Sequence, residues 1–316
     1  MTPSHLTSSV LGQGSDGPYA ALVALPSTLC LPDGRTLAYD DVGDPSGPAV
    51  VYLHGTPDSR LGRPPDASTA AEGIRLLAVD RPGIGDSDPD PAGDLRSFGD
   101  DLAALVDHLE LGRVDLVGWS GGGLSALGAA PSLGARLGAV ALVAPVPPVE
   151  AYDDPDLVAA LSAGRQAFAE LSAGVPPTEV ADEVAPYLVP DPLSDELARE
   201  HVVEQAGPIG RRELARVPGA VEALVAGLRA SVQQGTGGLR AEIVHQLVQG
   251  PELSRIDCTV RTLHGAFDGT SPPEVGSWLV ARLPRAVLEV DPEAGHHLLF
   301  PRWRGILRAL REGAGN

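Results

Sequence analysis

Short apolar runs separated by turn residues dominate the pattern of this chain after residue 26. The runs are apolar on both faces, which is typical of strands in a parallel sheet that helices cover on each side. Two further runs, 27–31 and 36–39, flank a Pro-Asp-Gly-Arg turn and predict an antiparallel hairpin at one edge of the sheet. The six runs predicted as buried strands are 49–53, 76–79, 114–117, 140–143, 260–263 and 287–290.

Helical patterns fill the intervals between the runs. From 97 to 109, apolar residues recur at the three- and four-residue spacing of an amphipathic helix, and Ser97 followed by Asp100 predicts a capping box at its start. Strands that alternate with helices in this way predict a doubly wound, mostly parallel α/β sheet. Further helices of this α/β part are predicted at 121–130, 274–283 and 299–310.

The strand-like runs stop between about 146 and 250, where helical patterns continue. Examples are 155–171, after a capping Asp154, and 221–233. The interruption predicts a helical subdomain inserted into the α/β core. We therefore expect four segments: a flexible lead-in over 1–26, the first part of the core over 27–145, a helical cap over 146–250 and the second part of the core over 251–316.

Charge and composition narrow the classes of partner. The formal net charge of −19 at pH 7 disfavours nucleic acid and anionic membrane surfaces, so we expect a small-molecule substrate, with the oligomeric state left open. The N-terminus has no basic segment before an apolar core and no apolar run is long enough to span a membrane, which predicts a cytoplasmic protein. Two cysteines, and histidines without metal-ligand spacing, predict no disulfide framework, no metal and no cofactor.

The strongest chemical signal is Gly118-Trp119-Ser120-Gly121-Gly122, which lies between a predicted strand and a predicted helix. A serine hydroxyl becomes a useful nucleophile when a sharp strand-to-helix turn lifts it clear of the sheet, and flanking glycines remove steric clashes at such a turn. The pattern predicts Ser120 as a nucleophile. An incidental serine in a glycine-rich turn is the alternative, which the other signals disfavour.

A second signal is His54-Gly55-Thr56-Pro57, directly after the predicted strand 49–53. Acyl transfer through a serine needs two hydrogen-bond donors for the developing oxyanion, and backbone N–H groups are the usual source. By position, we expect the N–H groups of Thr56 and Gly121 to form this oxyanion hole. His54 itself is interpreted as a residue that stabilises the turn.

An acid and a base follow the last two strands. Asp268 comes after the run 260–263, and the pair His296 and His297 comes after the run 287–290. The order serine, acid, histidine along the chain, each beyond the carboxyl end of a strand, predicts a catalytic triad of Ser120, Asp268 and His296. Gly295 favours His296 over His297, because it would let the loop bend towards the nucleophile, but both histidines remain candidates.

Because these sequence motifs occur in the same order along the chain, the chain resembles the α/β-hydrolase superfamily, in the branch with a helical cap inserted after the sixth strand. The resemblance extends from about residue 27 to residue 310, and Ser120 at the nucleophile position disfavours the dehalogenases and epoxide hydrolases of that branch, which use Asp. It implies that Asp80-Arg81-Pro82-Gly83 shapes the loop beneath the oxyanion hole. The matching blocks are HGTP, DRPGIGDSD, GWSGG, GAFDGTSPP and EAGHHLLF.

The function predicted from these residues is hydrolysis of a small-molecule carboxylic ester, or a related acyl bond, through an acyl-enzyme. Trp119 is expected either to line the substrate pocket or to pack beside the turn. An aminopeptidase resembling the proline iminopeptidases is an alternative, since the predicted cap is acidic and could attract an ammonium group. A receptor or scaffold without catalysis on the same fold is another, disfavoured by the presence of all three triad residues.

Overall fold

Eight strands form a single sheet in the computed structural model, which describes residues 25–248 and 250–313. The predicted lead-in over 1–26 lies outside this range except for its last two residues. The six buried runs and the hairpin are all strands, several of them a few residues longer than predicted. Their bounds are β1 Ser27–Cys30, β2 Thr36–Gly43, β3 Ala49–Leu53, β4 Arg75–Val79, β5 Val114–Trp119, β6 Leu137–Val143, β7 Thr259–Gly265 and β8 Ala286–Asp291.

The strand order is β1-β2-β4-β3-β5-β6-β7-β8. Strands β3 to β8 pair in parallel, and β1 and β2 add an antiparallel edge next to β4, so the predicted fold class is confirmed. The parallel registers align Leu53 with Gly118, Trp119 with Val143, and Gly265 with Asp291. The loops that follow these strands therefore meet at one edge of the sheet.

Both faces of the central strands are buried under helices, but the prediction of a buried strand at 287–290 is wrong in this respect: the edge strand β8 has no buried residue and exposes Val287 and Val290. Alternate residues of β3 enter two different apolar clusters, with Val50 and Tyr52 in one and Val51 and Leu53 in the other. This is why the parallel strands read as continuous apolar runs rather than alternating ones. The helices are α1 Asp66–Ala70, α2 Leu95–His108, α3 Gly121–Leu133, α4 Pro155–Ala160, α5 Ala163–Gly174, α6 Pro177–Leu188, α7 Asp195–Gln205, α8 Gly207–Ala215, α9 Ala220–Ser231, α10 Gly237–Gln246, α11 Pro273–Val280 and α12 Leu299–Gly313.

Two local predictions are wrong. The capping box of α2 is formed by Asp94 and Ser97, not by Ser97 and Asp100: the Asp94 carboxylate accepts from the Arg96 and Ser97 N–H groups, and the Ser97 hydroxyl accepts from the Asp94 N–H. Because Asp94 caps the chain three residues earlier, the helix begins at Leu95.

The predicted single helix over 155–171 is two helices, α4 and α5. Asp154 caps α4 as expected, with its carboxylate accepting from two N–H groups of the first turn. The chain then becomes extended at Leu161 and Ser162, where the Ser162 N–H donates to the carbonyl of Gly269 at 2.7 Å. This bond to a distant loop replaces a bond within a continuous helix, so the helix ends at Ala160.

Helices α4 to α10 lie between β6 and β7, and the described part of residues 146–250 contains no strand. Apolar residues of this segment, such as Val180, Leu224 and Ile243, join the same cluster as residues of the sheet and of α12. Most of the segment is therefore packed on the face of the core that holds Val50 and Tyr52, whereas Leu157 and Leu161 near its start join the cluster on the other face.

Candidate active site

Ser120 lies at a strained turn between β5 and α3. Its backbone has a φ of 53° and a ψ of −120°, a left-handed conformation that a residue with a side chain rarely adopts. The Ser120 N–H donates to the Val143 carbonyl at 3.0 Å, which ties the turn to the neighbouring strand. A side chain held in this way projects from the edge of the sheet instead of packing into it, as a nucleophile requires.

The glycines around Ser120 make room for this turn. A Cβ added at Gly118 would lie 2.4 Å from the Gly122 carbonyl oxygen, and one added at Gly122 would lie 2.1 Å from the Leu53 carbonyl oxygen. Both contacts are with backbone atoms that cannot move aside. The two glycines are thus a steric requirement of the turn, as the sequence pattern predicted.

Ser120, His296 and Asp268 form one hydrogen-bonded chain. His296 Nε2 is 3.1 Å from Ser120 Oγ, and His296 Nδ1 is 2.7 Å from Asp268 Oδ2. Ser120 directly follows β5, while Asp268 and His296 lie in the loops after β7 and β8, so the parallel sheet brings together residues far apart in sequence. The three residues predicted as nucleophile, acid and base therefore have the spacing of a proton relay.

Asp268 is held as an anion facing the imidazole. Burial raises the pKa of its carboxyl, but the charge and hydrogen bond of His296 and the N–H donors of Ser271 and Thr270 outweigh burial, so the pKa is lowered. The two N–H groups bond Oδ1 at 2.8 Å and 2.9 Å, which leaves Oδ2 for His296. The carboxylate therefore fixes the orientation of the imidazole and which of its nitrogens carries the hydrogen.

The His54-Gly55-Thr56 turn lies against Ser120. A Cβ added at Gly55 would be 3.5 Å from Ser120 Cβ, and one added at Gly121 would be 2.4 Å from Thr56 Oγ1. Within residues 25–248 and 250–313, no acceptor takes a hydrogen bond from the backbone N–H of Thr56 or of Gly121. Two free donors beside the serine are what an oxyanion hole needs, and these are the two predicted from the sequence.

Comparisons with known proteins identify the fold and the family. A family model described as alpha/beta hydrolase fold matches residues 48–302, most of the chain. The chain belongs to the α/β-hydrolase family.

Two curated relatives and two solved structures illustrate the similarity. The chain is 33% identical over 135 residues to a non-heme chloroperoxidase of Streptomyces lividans, covering 40% of this chain and 47% of that protein. It is 30% identical over 224 residues to the pimeloyl-[acyl-carrier protein] methyl ester esterase of Neisseria meningitidis serogroup A, covering 70% of this chain and 62% of the esterase. These matches span less than two thirds of either relative.

The solved structures share the fold at low sequence identity. An alpha/beta hydrolase fold protein from Nakamurella multipartita is 23% identical with a TM-score of 0.63, covering 92% of this chain and all of that one. A hydrolase from Pseudomonas aeruginosa PA01 is 22% identical with a TM-score of 0.61, covering 93% of this chain and all of that one. At this identity the match concerns the fold alone.

Arg81 binds the backbone carbonyl groups of the candidate oxyanion turn. Its guanidinium donates to the carbonyl oxygens of His54 and Gly55 and is paired with the Glu242 carboxylate of α10 at 2.6 Å. All four residues are buried. Burial lowers the pKa of His54 well below its usual value, so this imidazole is neutral. The family resemblance implied that the loop from Asp80 to Gly83 shapes the candidate oxyanion hole. Within that loop, Arg81 is the residue that binds the turn.

Trp119 packs against the loop that carries His296. Its indole is 5% exposed, its Nε1–H donates to the His296 carbonyl at 3.0 Å, and its ring stands 5.8 Å from the His296 ring between centroids. Of the two expectations from the sequence, packing beside the turn is the one that these contacts match. In addition, the bond to the carbonyl restrains the backbone of the candidate base.

His297, the other candidate base, points away from Ser120 into the protein. Its Nδ1 atom is buried without a hydrogen-bond partner among the described residues, 2.6 Å from where a Cβ on Gly210 of α8 would lie. Burial lowers the pKa of His297 to about 3. The imidazole that faces the serine and the acid is therefore that of His296.

The low pKa of His297 predicts a pH dependence of stability. A histidine with a pKa near 6.5 in the unfolded chain and about 3 in the fold binds its proton more readily when unfolded. Its contribution to the free energy of unfolding is therefore complete above pH 6.5 and is lost as the pH falls towards 3. We expect His297→Gln to lose less stability than the unchanged protein between pH 7 and pH 4.5, measured by urea denaturation.

His108→Gln is the matched control, because His108 is exposed at the end of α2. Its free energy of unfolding should follow that of the unchanged protein at both pH values. Parallel pH profiles for His297→Gln and the unchanged protein would mean that folded His297 takes up a proton at an ordinary pH, contrary to this expectation.

Two contacts of the site come from the helical segment and carried no signal in the sequence. Glu213 of α8 and Glu242 of α10 are buried and reach the His296 loop and Arg81, respectively. Acidic residues on helices are usually solvated, so only the tertiary contact distinguishes these two.

Among the described residues, no group of three His, Cys, Asp or Glu side chains could hold a metal ion. None of the described helices is long and apolar enough to cross a membrane.

Proposed function

We propose that this protein is a serine hydrolase that cleaves small-molecule carboxylic esters through an acyl-enzyme. The observation that carries the proposal is the hydrogen-bonded chain from Ser120 Oγ through His296 to Asp268, with contacts of 3.1 Å and 2.7 Å. The strained backbone of Ser120 adds support, because such strain is retained where it serves a mechanism.

In the first half of the reaction, Ser120 Oγ attacks the carbonyl carbon of the ester while His296 Nε2 takes the hydroxyl proton. Asp268 stabilises the imidazolium that forms and keeps Nδ1 as a donor. The negative charge that develops on the carbonyl oxygen is bound by the N–H groups of Thr56 and Gly121. His296 then passes its proton to the departing alcohol, which leaves the acyl group on Ser120.

In the second half, water replaces the alcohol. His296 Nε2 takes a proton from the water as its oxygen attacks the acyl carbon, and the same two N–H groups stabilise the second tetrahedral intermediate. When that intermediate collapses, the proton on His296 returns to Ser120 Oγ. The acid product leaves and the relay is restored.

An ester as substrate is favoured over a peptide for two reasons. One relative over 70% of this chain is named as a methyl ester esterase. The acidic helical segment was the reason to consider an aminopeptidase, yet the buried carboxylate that it places beside the His296 loop, Glu213, has both oxygens bonded to backbone N–H groups. Glu213 is thus not free to bind a substrate ammonium group.

We also propose that residues 146–250 act as a cap that contributes to substrate selection. Gln246 at the end of α10 supports this assignment, since its Nε2 lies 3.3 Å from where a Cβ on Gly121 would be. Ser162, which binds the Gly269 carbonyl in the acid loop, supports it from the other side. Residues of this segment thus lie beside both the Ser120 turn and the loop that carries Asp268.

The function is tested with a fluorophosphonate probe and two chromogenic substrates. A serine hydrolase is expected to form a covalent adduct with the probe at Ser120, identified by mass spectrometry of the digested protein, and to hydrolyse p-nitrophenyl acetate much faster than a prolyl-p-nitroanilide. A faster reaction with the anilide would favour the aminopeptidase. No adduct and no hydrolysis of either substrate would favour the receptor or scaffold.

A further inference from the structure

Glu213 is a buried carboxylate that joins the helical segment to the loop of the candidate base. It lies on α8 and is 3% exposed. Its Oε1 accepts a hydrogen bond from the Gly295 N–H at 2.7 Å, and its Oε2 accepts one from the His297 N–H at 3.1 Å. One side chain therefore holds the backbone on both sides of His296.

These two bonds act together with a third. The Trp119 indole N–H donates to the carbonyl of His296 itself, so three consecutive residues of the loop each have a backbone group fixed by a buried side chain. A loop fixed at three successive positions leaves its central side chain little freedom to rotate away from Ser120. Hydrogen bonds to an ionised carboxylate are stronger than those between neutral groups, so the two bonds of Glu213 are the stronger members of this set.

The glycines on both sides of the contact allow it to be close. A Cβ added at Gly295 would lie 3.0 Å from Ile209 Cγ2 and 3.5 Å from Glu213 Oε2, and one added at Gly210 would lie 2.6 Å from His297 Nδ1. Helix α8 and the loop are thus in contact along about one turn of the helix, from Ile209 to Glu213. Buried contacts with α8 therefore help to fix the position of the loop from Gly295 to His297.

A contribution to the stability of the fold does not by itself explain a buried carboxylate at position 213. Within the part of the chain that the structure describes, Glu213 has no Arg or His partner in an ion pair, and a buried carboxylate without a cation costs free energy that hydrogen bonds only partly recover. Burial raises the pKa of Glu213, and the two N–H donors oppose that effect. Costly buried charges are concentrated at functional sites.

We propose that Glu213 is a positioning residue for His296: it holds the loop from Gly295 to His297 so that the imidazole stays within reach of both Ser120 and Asp268. The proposal rests on the proposed function and extends it. The helical segment then contributes to the chemical step as well as to covering the site, because its carboxylate sets the alignment of the base. An imidazole displaced by about 1 Å is expected to lower the rate by up to about 100-fold.

The variants Glu213→Gln and Glu213→Ala separate positioning from folding. Glutamine keeps the size of the side chain and one acceptor oxygen, but its NH2 group faces a backbone N–H and cannot accept from it. Alanine removes both acceptors. Glu204→Gln is the matched control, because Glu204 is an exposed residue of the neighbouring helix α7.

Each protein is assayed with p-nitrophenyl acetate, with kcat expressed per active site titrated by the fluorophosphonate. We expect kcat to fall about 10-fold to 100-fold in Glu213→Gln and further in Glu213→Ala, while KM stays within about threefold and Glu204→Gln matches the unchanged protein. A wild-type kcat per titrated site in both Glu213 variants, even with lower thermal stability, would overturn the proposal. So would a rise in KM alone, which would assign Glu213 to substrate binding.

A second measurement does not depend on turnover. The proton between His296 Nδ1 and Asp268 gives a downfield signal in the proton NMR spectrum, and we expect it to shift or broaden in both Glu213 variants but not in Glu204→Gln. An unchanged signal in Glu213→Ala would count against positioning. If the unchanged protein neither reacts with the probe nor hydrolyses the ester, the proposed function fails, and this signal still decides whether Glu213 aligns the imidazole.

Discussion

Ser120→Ala is expected to lower kcat for ester hydrolysis about 10⁶-fold while leaving the fold intact. The hydroxyl is the atom that forms the acyl-enzyme, and no other hydroxyl is hydrogen-bonded to His296 among the described residues. Alanine keeps the Cβ that the turn already accommodates, so the strained backbone need not change. The loss is measured as the steady-state rate with p-nitrophenyl acetate, with circular dichroism and thermal unfolding as evidence of the intact fold.

Ser125→Ala is the matched control for this loss. Ser125 lies in helix α3, which directly follows Ser120, and is also buried, but takes no part in the hydrogen-bonded chain. It should retain both esterase activity and reaction with the fluorophosphonate. If Ser120→Ala kept an activity near that of the unchanged protein, Ser120 would not be the nucleophile and the mechanism proposed above would be wrong.

The second large effect concerns the two adjacent histidines. His296→Ala removes the group that takes the serine proton, and because nucleophile and base act as a unit, its loss of kcat should approach that of Ser120→Ala. His297→Ala removes a buried, neutral ring that is hydrogen-bonded to neither Ser120 nor Asp268. We therefore expect it to keep much of the activity and to lose stability instead. The two variants are compared by kcat and by the free energy of unfolding.

This pair is its own control, because both changes remove the same ring from neighbouring positions. The opposite result, with activity kept in His296→Ala and lost in His297→Ala, would exchange the roles of the two residues. A loss in both would mean that His297 supports the loop as much as His296 performs the chemistry. In that case the acid sensitivity predicted for His297 would be the more informative measurement.

The sheet and the site were largely predictable from sequence because local patterns determine them. A strand buried on both faces must be apolar throughout, so each run such as 140–143 marks a strand, and parallel pairing brings the residues after those strands to one edge. The glycines beside Ser120 are required by the turn itself. The arrangement of Ser120, Asp268 and His296 then follows from their order along the chain.

Long-range contacts account for what the sequence did not predict. The break at Leu161 depends on a bond from Ser162 to Gly269, and Glu213 is distinguished from other acidic residues only by a loop 82 positions away. Gly295 shows the same limit. It was expected to let the loop bend, but its φ is not in the left-handed region, and its missing Cβ instead lets Ile209 and Glu213 approach.

The pairing of β6 with β7 has a consequence for the order of folding. These neighbours in the sheet are separated by about 115 residues, whereas β5 and β6 are separated by fewer than 20. Closing the longer loop costs ~1.6 kcal/mol more in chain entropy. During synthesis, strands β1 to β6 and the Ser120 turn emerge well before β7 and β8, so a nascent chain can form the nucleophile turn in a sheet whose acid and base have yet to join. Such a six-stranded sheet has an exposed apolar edge at β6, which is a template for aggregation until helices α4 to α10 have folded and β7 has added to it.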